Sequence, residues 1–206
     1  MELTWNEVLA ATNAKVHSGK LRGNYAIPKI TTDTRKIEKG DLFIALRGEN
    51  FDGAEFAADA LQKGASAVLV GAPLSKSVEK ALKNAKGAVL TVSDTLAAYQ
   101  AIAHAWRMKF GVPVVAITGS NGKTTTKDLT AAVLSARGTV CRTAANYNNE
   151  VGLPLTLLGM TNRDVAAVVE IGMRGLGQIA ALAPVAAPTI GIVTNVCEVH
   201  MELLGS

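Results

Sequence analysis

Aromatic side chains are scarce in this sequence. Phe, Trp and Tyr together make up only 4% of it, too few for a nucleic-acid surface built on stacked rings. Neither sign of charge dominates, since 21 basic against 17 acidic residues leave a net charge of +4. A surplus this mild suits an anionic small molecule and gives no reason to expect a nucleic-acid partner. Lys76, Lys80, Lys83 and Lys86 recur every three or four residues, which a solvated helix face explains. Cysteine is limited to Cys141 and Cys197, with no C-x-x-C pair. Both adjoin strand-like runs, so buried free thiols in a cytoplasmic protein are the expectation. No apolar stretch approaches the roughly 20 residues of a membrane span. The opening MELTWNEVLAA lacks the basic and apolar regions of a secretion signal. The expected setting is the cytoplasm, without membrane insertion.

What is abundant is small and aliphatic. Hydrophobic residues reach 49% over 206 positions, enough for one large domain or two modest ones with tightly packed layers. Short apolar runs alternate with helical patterns, and this predicts an α/β fold. Residues 3–10 read as a helix, with Thr4 as N-cap and Glu7 three places on. A polar stretch runs to Gly23. Strands are expected at 27–30, 42–46, 67–70 and 88–92, with helices at 54–64 and 75–86 between them. A helix over 95–110 carries Leu96, Tyr99, Ile102, Ala103 and Trp106 on one face. His104 lies in it as a surface or satisfied histidine. The division expected is a small N-terminal α/β domain over 1–85, a connecting helix and linker over 86–112, and a mostly parallel, P-loop-type α/β domain over 113–206.

The second domain is organised around Pro113 to Lys127, PVVAITGSNGKTTTK. Val114 to Ile117 form a partly β-branched apolar run, a buried strand. A turn through Gly119, Ser120, Asn121 and Gly122 leads into Lys123 and a helix. Strand, glycine turn and helix aim backbone N–H groups and a helix N-terminus at an anion. Lys123 adds a positive charge, and Thr124 or Thr125 a hydroxyl for a magnesium ion. A strict P-loop has glycine where this chain has Ile117. Gly119 and Gly122 still permit the positive φ and close approach that a phosphate needs. A nucleotide triphosphate site is the reading preferred over an ordinary strand-to-helix turn. A guanine-specificity motif or switch segment, which a nonenzymatic P-loop module would need, is absent.

Other polar residues fall where parallel sheets bind ligands, beyond the C-terminal ends of strands. Glu170 ends the apolar strand DVAAVVEI at 164–171 and could ligate magnesium directly or through water. Gln178 to Leu182 reads as a short helix, followed by a connection through Pro188. Thr194 and Asn195 end the strand at 189–193, and His200 follows. Thr143, Asn146, Asn148 and Asn149 lie in TAANYNNEVG, either a plain turn segment or a donor-rich loop facing a polar substrate. In TTDTR, Thr34 and Arg35 could grip a phosphate, or the run could be a turn bonding its own backbone.

Five segments in order resemble the Mur ligases of bacterial cell-wall synthesis. They are TDTR at 32–35 with GDLFIALRGENFDG at 40–53, ITGSNGKTTTK at 117–127, NYNNEVGLPLTLL at 146–158, EIGMRGLGQI at 170–179 and TNVCEVHMELLGS at 194–206. Asn148 and Asn149 followed by EVGLPLT resemble the branch that adds D-alanyl-D-alanine rather than those adding diaminopimelate or lysine. The resemblance implies an ATP-dependent amide ligase. Such an enzyme phosphorylates the terminal carboxylate of UDP-N-acetylmuramoyl-tripeptide, and the amine of D-alanyl-D-alanine attacks the acyl phosphate. It implies that Lys123 and the amides of 119–124 hold the phosphates, and that Thr124, Glu170 and His200 hold magnesium. Asn195 and Thr125 would complete the nucleotide site. Asn146, Asn148 and Asn149, with Thr143, would line the nucleotide-sugar region. Thr34, Arg35, Leu46 and Gly48 would form the uridine-diphosphate site. The family's amine-binding domain has no counterpart before Ser206, so these 206 residues alone are expected to be inactive. The full-length parent is expected to act as a monomer.

Overall fold

A computed structural model describes residues 2–48 and 51–198. The chain divides into two compact units, at Ile102 and Ala103. The first begins with helix α1 (Trp5–Thr12). Thr4 accepts from the Glu7 N–H while the Glu7 carboxylate accepts from the Thr4 N–H, so both orphan donors at this end are satisfied. Strands β1 (Lys15–Ser18), β2 (Ile30–Thr31) and β3 (Leu42–Ile44) follow. A 3₁₀ turn at Gly53–Phe56 leads into α2 (Ala57–Gln62). Then come β4 (Ala67–Gly71), α3 (Lys76–Leu82), β5 (Ala88–Val92) and α4 (Thr95–Arg107), the helix that crosses the division.

The first sheet has the order β1-β5-β4-β3-β2, parallel except for β1. Phe43, Val68, Val70 and Val89 pack with Ala57, Ala60, Leu61, Val78 and Leu82 of α2 and α3. The alanines let the helices approach the β-branched sheet closely, so a dry core forms with few rings. The four lysines of the α3 region are exposed, as the solvated-face reading requires.

The second unit contains β6 (Val114–Thr118), α5 (Lys123–Leu134), β7 (Thr139–Arg142), α6 (Gly152–Leu158), β8 (Asp164–Glu170), α7 (Gln178–Ala186) and β9 (Ile190–Val193). All four strands are parallel, in the order β7-β8-β6-β9. The fold is α/β with parallel sheets. Val115, Ile117, Ala131 and Val168 form a core between sheet and α5. No helix among the described residues is long and apolar enough to cross a membrane.

Several local expectations are revised. Residues 15–18 form a strand inside the polar stretch before Gly23, to which the sequence assigns no element. All four side chains are exposed, so β1 rests on backbone pairing with β5 and leaves no apolar signal. The strand expected at 27–30 is reduced to Ile30–Thr31, while Ile27 is buried and donates its N–H to the Leu3 carbonyl. Strand β5 pairs within the first sheet, so the first unit extends beyond residue 85. Helix α7 continues past Leu182 through Pro184 to Ala186. Cys197 is exposed, contrary to expectation, because it lies beyond β9 rather than in a strand. Cys141 is partly buried, and burial followed by the nearby Asp164 charge raises its pKa to about 12. Its thiol donates to the Thr156 carbonyl.

Arg107 closes the second unit around α7. Only 5% exposed, it donates from Nε to the Ala186 carbonyl at 3.1 Å, from Nη1 to Phe110 at 2.8 Å and from Nη2 to Ala187 at 3.3 Å. Two of these carbonyls belong to the C-terminal end of α7, where the helix dipole favours a cation. Burial pulls the Arg107 pKa below its ordinary value. Arg107→Met leaves three carbonyls without their donor. The second unit should lose about 2–4 kcal/mol of stability, read as faster hydrogen exchange at the β6 amides. Thiol labelling should separate the cysteines, with Cys197 modified at least about tenfold faster than Cys141, because the reactive species is an accessible thiolate.

Candidate functional site

The strand order of the second sheet builds the site. β6 is central and its parallel neighbours end beside it, Glu170 opposite Ile117 on β8 and Val193 opposite Thr118 on β9. The chain leaving β6 at Gly119 therefore turns between the ends of both neighbours. Gly119 has φ +132, and a Cβ there would collide with Thr194 Oγ1 and the Asn195 backbone. Gly122 has φ +79 but open space around it. The first glycine is required by close packing and the second by backbone conformation alone.

Asn195 holds the turn. Its carbonyl accepts the Ser120 N–H at 3.0 Å, and its Oδ1 accepts the Asn121 N–H at 2.9 Å. Thr194 Oγ1 donates to carbonyls of Thr118 and Asn121. Ser120 and Cys197 exchange two further bonds, a pairing the sequence did not signal. The first hydrogen bond of α5 runs from the Thr126 N–H to the Gly122 carbonyl. The N–H groups of Lys123, Thr124 and Thr125 thus project from the helix end, and no side chain caps it. Together they form an anion-binding end. Lys123 Nζ lies across the loop, 2.6 Å from the Gly119 carbonyl and 3.1 Å from that of Ser120.

Glu170 lies next to this end and is 3% exposed. Its Oε2 accepts from Thr124 Oγ1 at 2.9 Å and its Oε1 from Asn148 Nδ2 at 2.8 Å. Its backbone N–H donates to Thr143 Oγ1 at 3.0 Å. Thr125 is exposed and stands apart from these contacts, so of the two threonines it is Thr124 that meets the carboxylate. The Thr124 hydroxyl and Glu170 carboxylate are hard oxygen donors beside the glycine turn and the uncapped N-terminus of α5. That pair fits a magnesium ion that keeps waters and takes phosphate oxygens for its remaining positions. Among the described residues no three His, Cys, Asp or Glu side chains cluster as a metal cage. His200 lies outside the described residues.

The other candidates from the 143–149 run take different places. Thr143 is buried, 1% exposed, and supports Glu170 from below. Asn149 Oδ1 accepts the Gly152 N–H at 2.8 Å and so anchors the start of α6. Asn146 is exposed. The residue that sequence reasoning passed over is Lys127, buried in α5 with Nζ 3.0 Å from the Thr143 carbonyl. Its only signal was its place one helical turn after Lys123.

In the first unit, Thr34 and Arg35 lie in a 3₁₀ turn, and Asp33 accepts three hydrogen bonds from the largely exposed arginine. The Arg35 N–H, Nε and Nη2 all donate to that carboxylate, at 3.0, 2.8 and 2.9 Å. These bonds, side chain first, lower the Asp33 pKa to about 2. The Gly48 N–H donates to the Phe51 carbonyl and the Leu46 carbonyl accepts from Gly53, closing a loop over the Arg47–Asp52 ion pair. A cavity of about 490 Å³ opens at the C-terminal ends of β3, β4 and β5. Arg47, Asp52, Gly71 and Asp94 line it, and Thr34, Arg35, Leu46 and Gly48 do not.

Comparison with known proteins bears on both units. Residues 26–107 match the description "Mur ligase family, catalytic domain" and residues 117–206 match "Mur ligase middle domain". This chain belongs to the Mur ligase family. Among curated Mur ligases, the UDP-N-acetylmuramoyl-tripeptide--D-alanyl-D-alanine ligase of Synechocystis sp. is 53% identical over 180 residues, 87% of this chain and 38% of that protein. The crystal structure of MurF from Acinetobacter baumannii matches with TM-score 0.88 at 30% identity, over 100% of this chain and 44% of that one. MurF ligase from Thermotoga maritima, crystallised with ADP, matches with TM-score 0.76 at 29% identity, over 87% of this chain and 40% of that one. The chain spans about two fifths of the length of these relatives.

Two measurements check the geometry. Gly119→Ala should destabilise the second unit more than Gly122→Ala, since only the former adds a collision to a positive-φ cost of about 1–2 kcal/mol; equal losses in denaturant titrations would contradict the packing. The Asp33 pKa is depressed, so the Asp33–Arg35 contribution is complete above the ordinary 3.8 and vanishes as pH falls through about 2. Carboxyl NMR should place the Asp33 midpoint near 2, and Arg35→Gln should return it towards 3.8.

Proposed function

We propose that this chain is the substrate- and phosphate-binding part of an ATP-dependent ligase joining D-alanyl-D-alanine to UDP-N-acetylmuramoyl-tripeptide. The observation that carries this reading is the Thr124–Glu170 hydrogen bond beside the N-terminus of α5. It sets a hydroxyl and a carboxylate where an anchored nucleotide would present its terminal phosphates. Relatives named for this ligation, and one crystallised with ADP, support it.

In this reading the amides of Lys123, Thr124 and Thr125 cradle phosphate oxygens, while Asn195 takes the Ser120 and Asn121 N–H groups and so shapes the turn rather than leaving those two amides for the ligand. Lys123 swings from the loop carbonyls to the phosphates and neutralises charge as it shifts to the carboxylate oxygen. Thr124 and Glu170, with His200 as a third donor, would hold Mg2+, which draws charge from phosphate oxygens when bound. A carboxylate is a poor electrophile; transfer of the terminal phosphoryl group of ATP to the tripeptide carboxylate releases ADP and gives the acyl phosphate, from which the D-alanyl-D-alanine amine displaces phosphate and loses a proton to form the amide. Asn146, Asn148 and Asn149, with Thr143 beneath them, belong to the nucleotide-sugar side of the site. Thr34, Arg35, Leu46 and Gly48 are assigned to the uridine diphosphate. A ligand phosphate recruiting Arg35 would have to compete with Asp33.

The experiment is Mg2+-dependent ATP binding to the chain and to Lys123→Ala by calorimetry. The variant should bind at least about tenfold more weakly, the loss of one charge-assisted phosphate contact. Equal binding by both would remove the phosphate-loop assignment. In the full-length protein, turnover with D-alanyl-D-alanine but not with diaminopimelate or lysine is expected; preference for either single amino acid would reassign the substrate.

A further inference from the structure

Lys127 is a buried cation that the proposed chemistry leaves without a task. It is 4% exposed, and its Nζ lies 3.0 Å from the Thr143 carbonyl and 3.2 Å from Asp128 Oδ1. An ammonium removed from water costs several kcal/mol unless its partners compensate. A methionine would fill the same space between α5 and the sheet without that cost. The charge is therefore best understood through what it holds.

It holds Thr143, and Thr143 is bonded on every side. Its N–H donates to the Val168 carbonyl at 3.1 Å, its Oγ1 accepts the Glu170 N–H at 3.0 Å, and its carbonyl accepts from Lys127. Thr143 is also where the chain leaves β7 for the run that brings Asn148 to Glu170 Oε1. One residue before it, Arg142 Nη1 lies 3.5 Å from Asp128 Oδ1, so the same short stretch of α5 grips both residues at the strand end. The Glu170 backbone and one carboxylate oxygen thus depend on a segment whose start is fixed by the Lys127 ammonium.

We propose that Lys127 is a positioning residue. Through Thr143 it fixes the Glu170 carboxylate against Thr124, holding the pair at the spacing a magnesium–phosphate group requires. This deepens the ligase reading and rests on it where magnesium is concerned. Lys123 contacts the ligand from the exposed end of α5; Lys127, one turn on and buried, sets the oxygen donor opposite. Carboxylate placement matters at this scale because magnesium tolerates little departure from octahedral geometry at about 2.1 Å.

The test compares the chain with Lys127→Met, Lys127→Gln, Thr143→Val and the Lys127→Met/Thr143→Val double variant. Hydrogen exchange at the Glu170 amide is read first, without nucleotide, against the Val115 amide as a measure of general stability. Glu170 should exchange about tenfold faster in each of Lys127→Met and Thr143→Val, with Val115 within twofold. The double variant should exchange no faster than Thr143→Val, because the lysine acts through that residue. Lys127→Gln keeps a donor for the Thr143 carbonyl and should retain most of the protection; if Lys127→Met does not fold, Lys127→Leu takes its place with the same expected loss. Unchanged Glu170 protection in Lys127→Met or its replacement, or effects that add in the double, would overturn the proposal. Second, the Mg2+ concentration for half-maximal ATP binding should rise about tenfold in Lys127→Met, while ADP affinity in EDTA stays within twofold. Equal losses with and without Mg2+ would make Lys127 a general support of the loop and overturn the positioning role. A wild-type chain that binds no nucleotide would defeat the ligase reading, and the exchange comparison would still decide whether Lys127 positions Glu170.

Discussion

The second unit depends on one carboxylate being held in place before any ligand arrives. Glu170 is nearly inaccessible, yet both its oxygens and its backbone N–H have protein partners in Thr124, Asn148 and Thr143. A carboxyl group at such burial is tolerated only when its polar atoms are engaged. Those three partners come from three places: the first turn of α5, the run after β7, and the residue directly following β7. The acid therefore ties together three separate elements at the N-terminus of α5, and its hydrogen bonds double as an alignment device.

Parallel pairing makes this convergence possible. In a parallel sheet every strand delivers its C-terminal end to the same edge. Placing β6 between β8 and β9 puts the glycine turn between Glu170 on one side and Thr194–Asn195 on the other. Asn195 satisfies two of the turn's amides, so the turn is shaped by the protein. The helix-end amides of Lys123, Thr124 and Thr125 remain directed outward. Shape is supplied by the neighbouring strand, and anion attraction by the helix.

Much of this was legible in the sequence because its signals are local. The β-branched run before the glycines, the glycines themselves, the Thr4–Glu7 capping box and the single acid ending DVAAVVEI each declare a backbone state or an exposed strand end. What stayed hidden depends on contacts distant in sequence. Strand β1 has four exposed side chains, and only pairing with β5, some 70 residues later, makes it a strand. A short helix over 178–182 is the expectation, but α7 runs on to Ala186, where Arg107, about 80 residues earlier, closes its end. The amides of the 143–149 run looked equivalent, yet Asn148 reaches Glu170 whereas Asn149 anchors α6. Lys127 was invisible for the same reason: a lysine on an amphipathic helix is normally solvated, and only the approach of Thr143 buries it.

Ile117 in place of the usual first glycine has a physical explanation in the same geometry. It is fully buried, belongs to β6 through its pairing with both Glu170 and Ile192, and packs against Ala131 of α5 in the core. The strand thus remains regular up to Thr118, and the turn is confined to four residues before α5. A glycine at 117 would leave a hole in that core and loosen the strand that sets the Glu170 register. The glycine is needed one pair of residues later, at Gly119, where the backbone passes too close to Thr194 for any side chain. In this chain the close approach has moved from the end of the strand into the turn, and with it the position where glycine is indispensable.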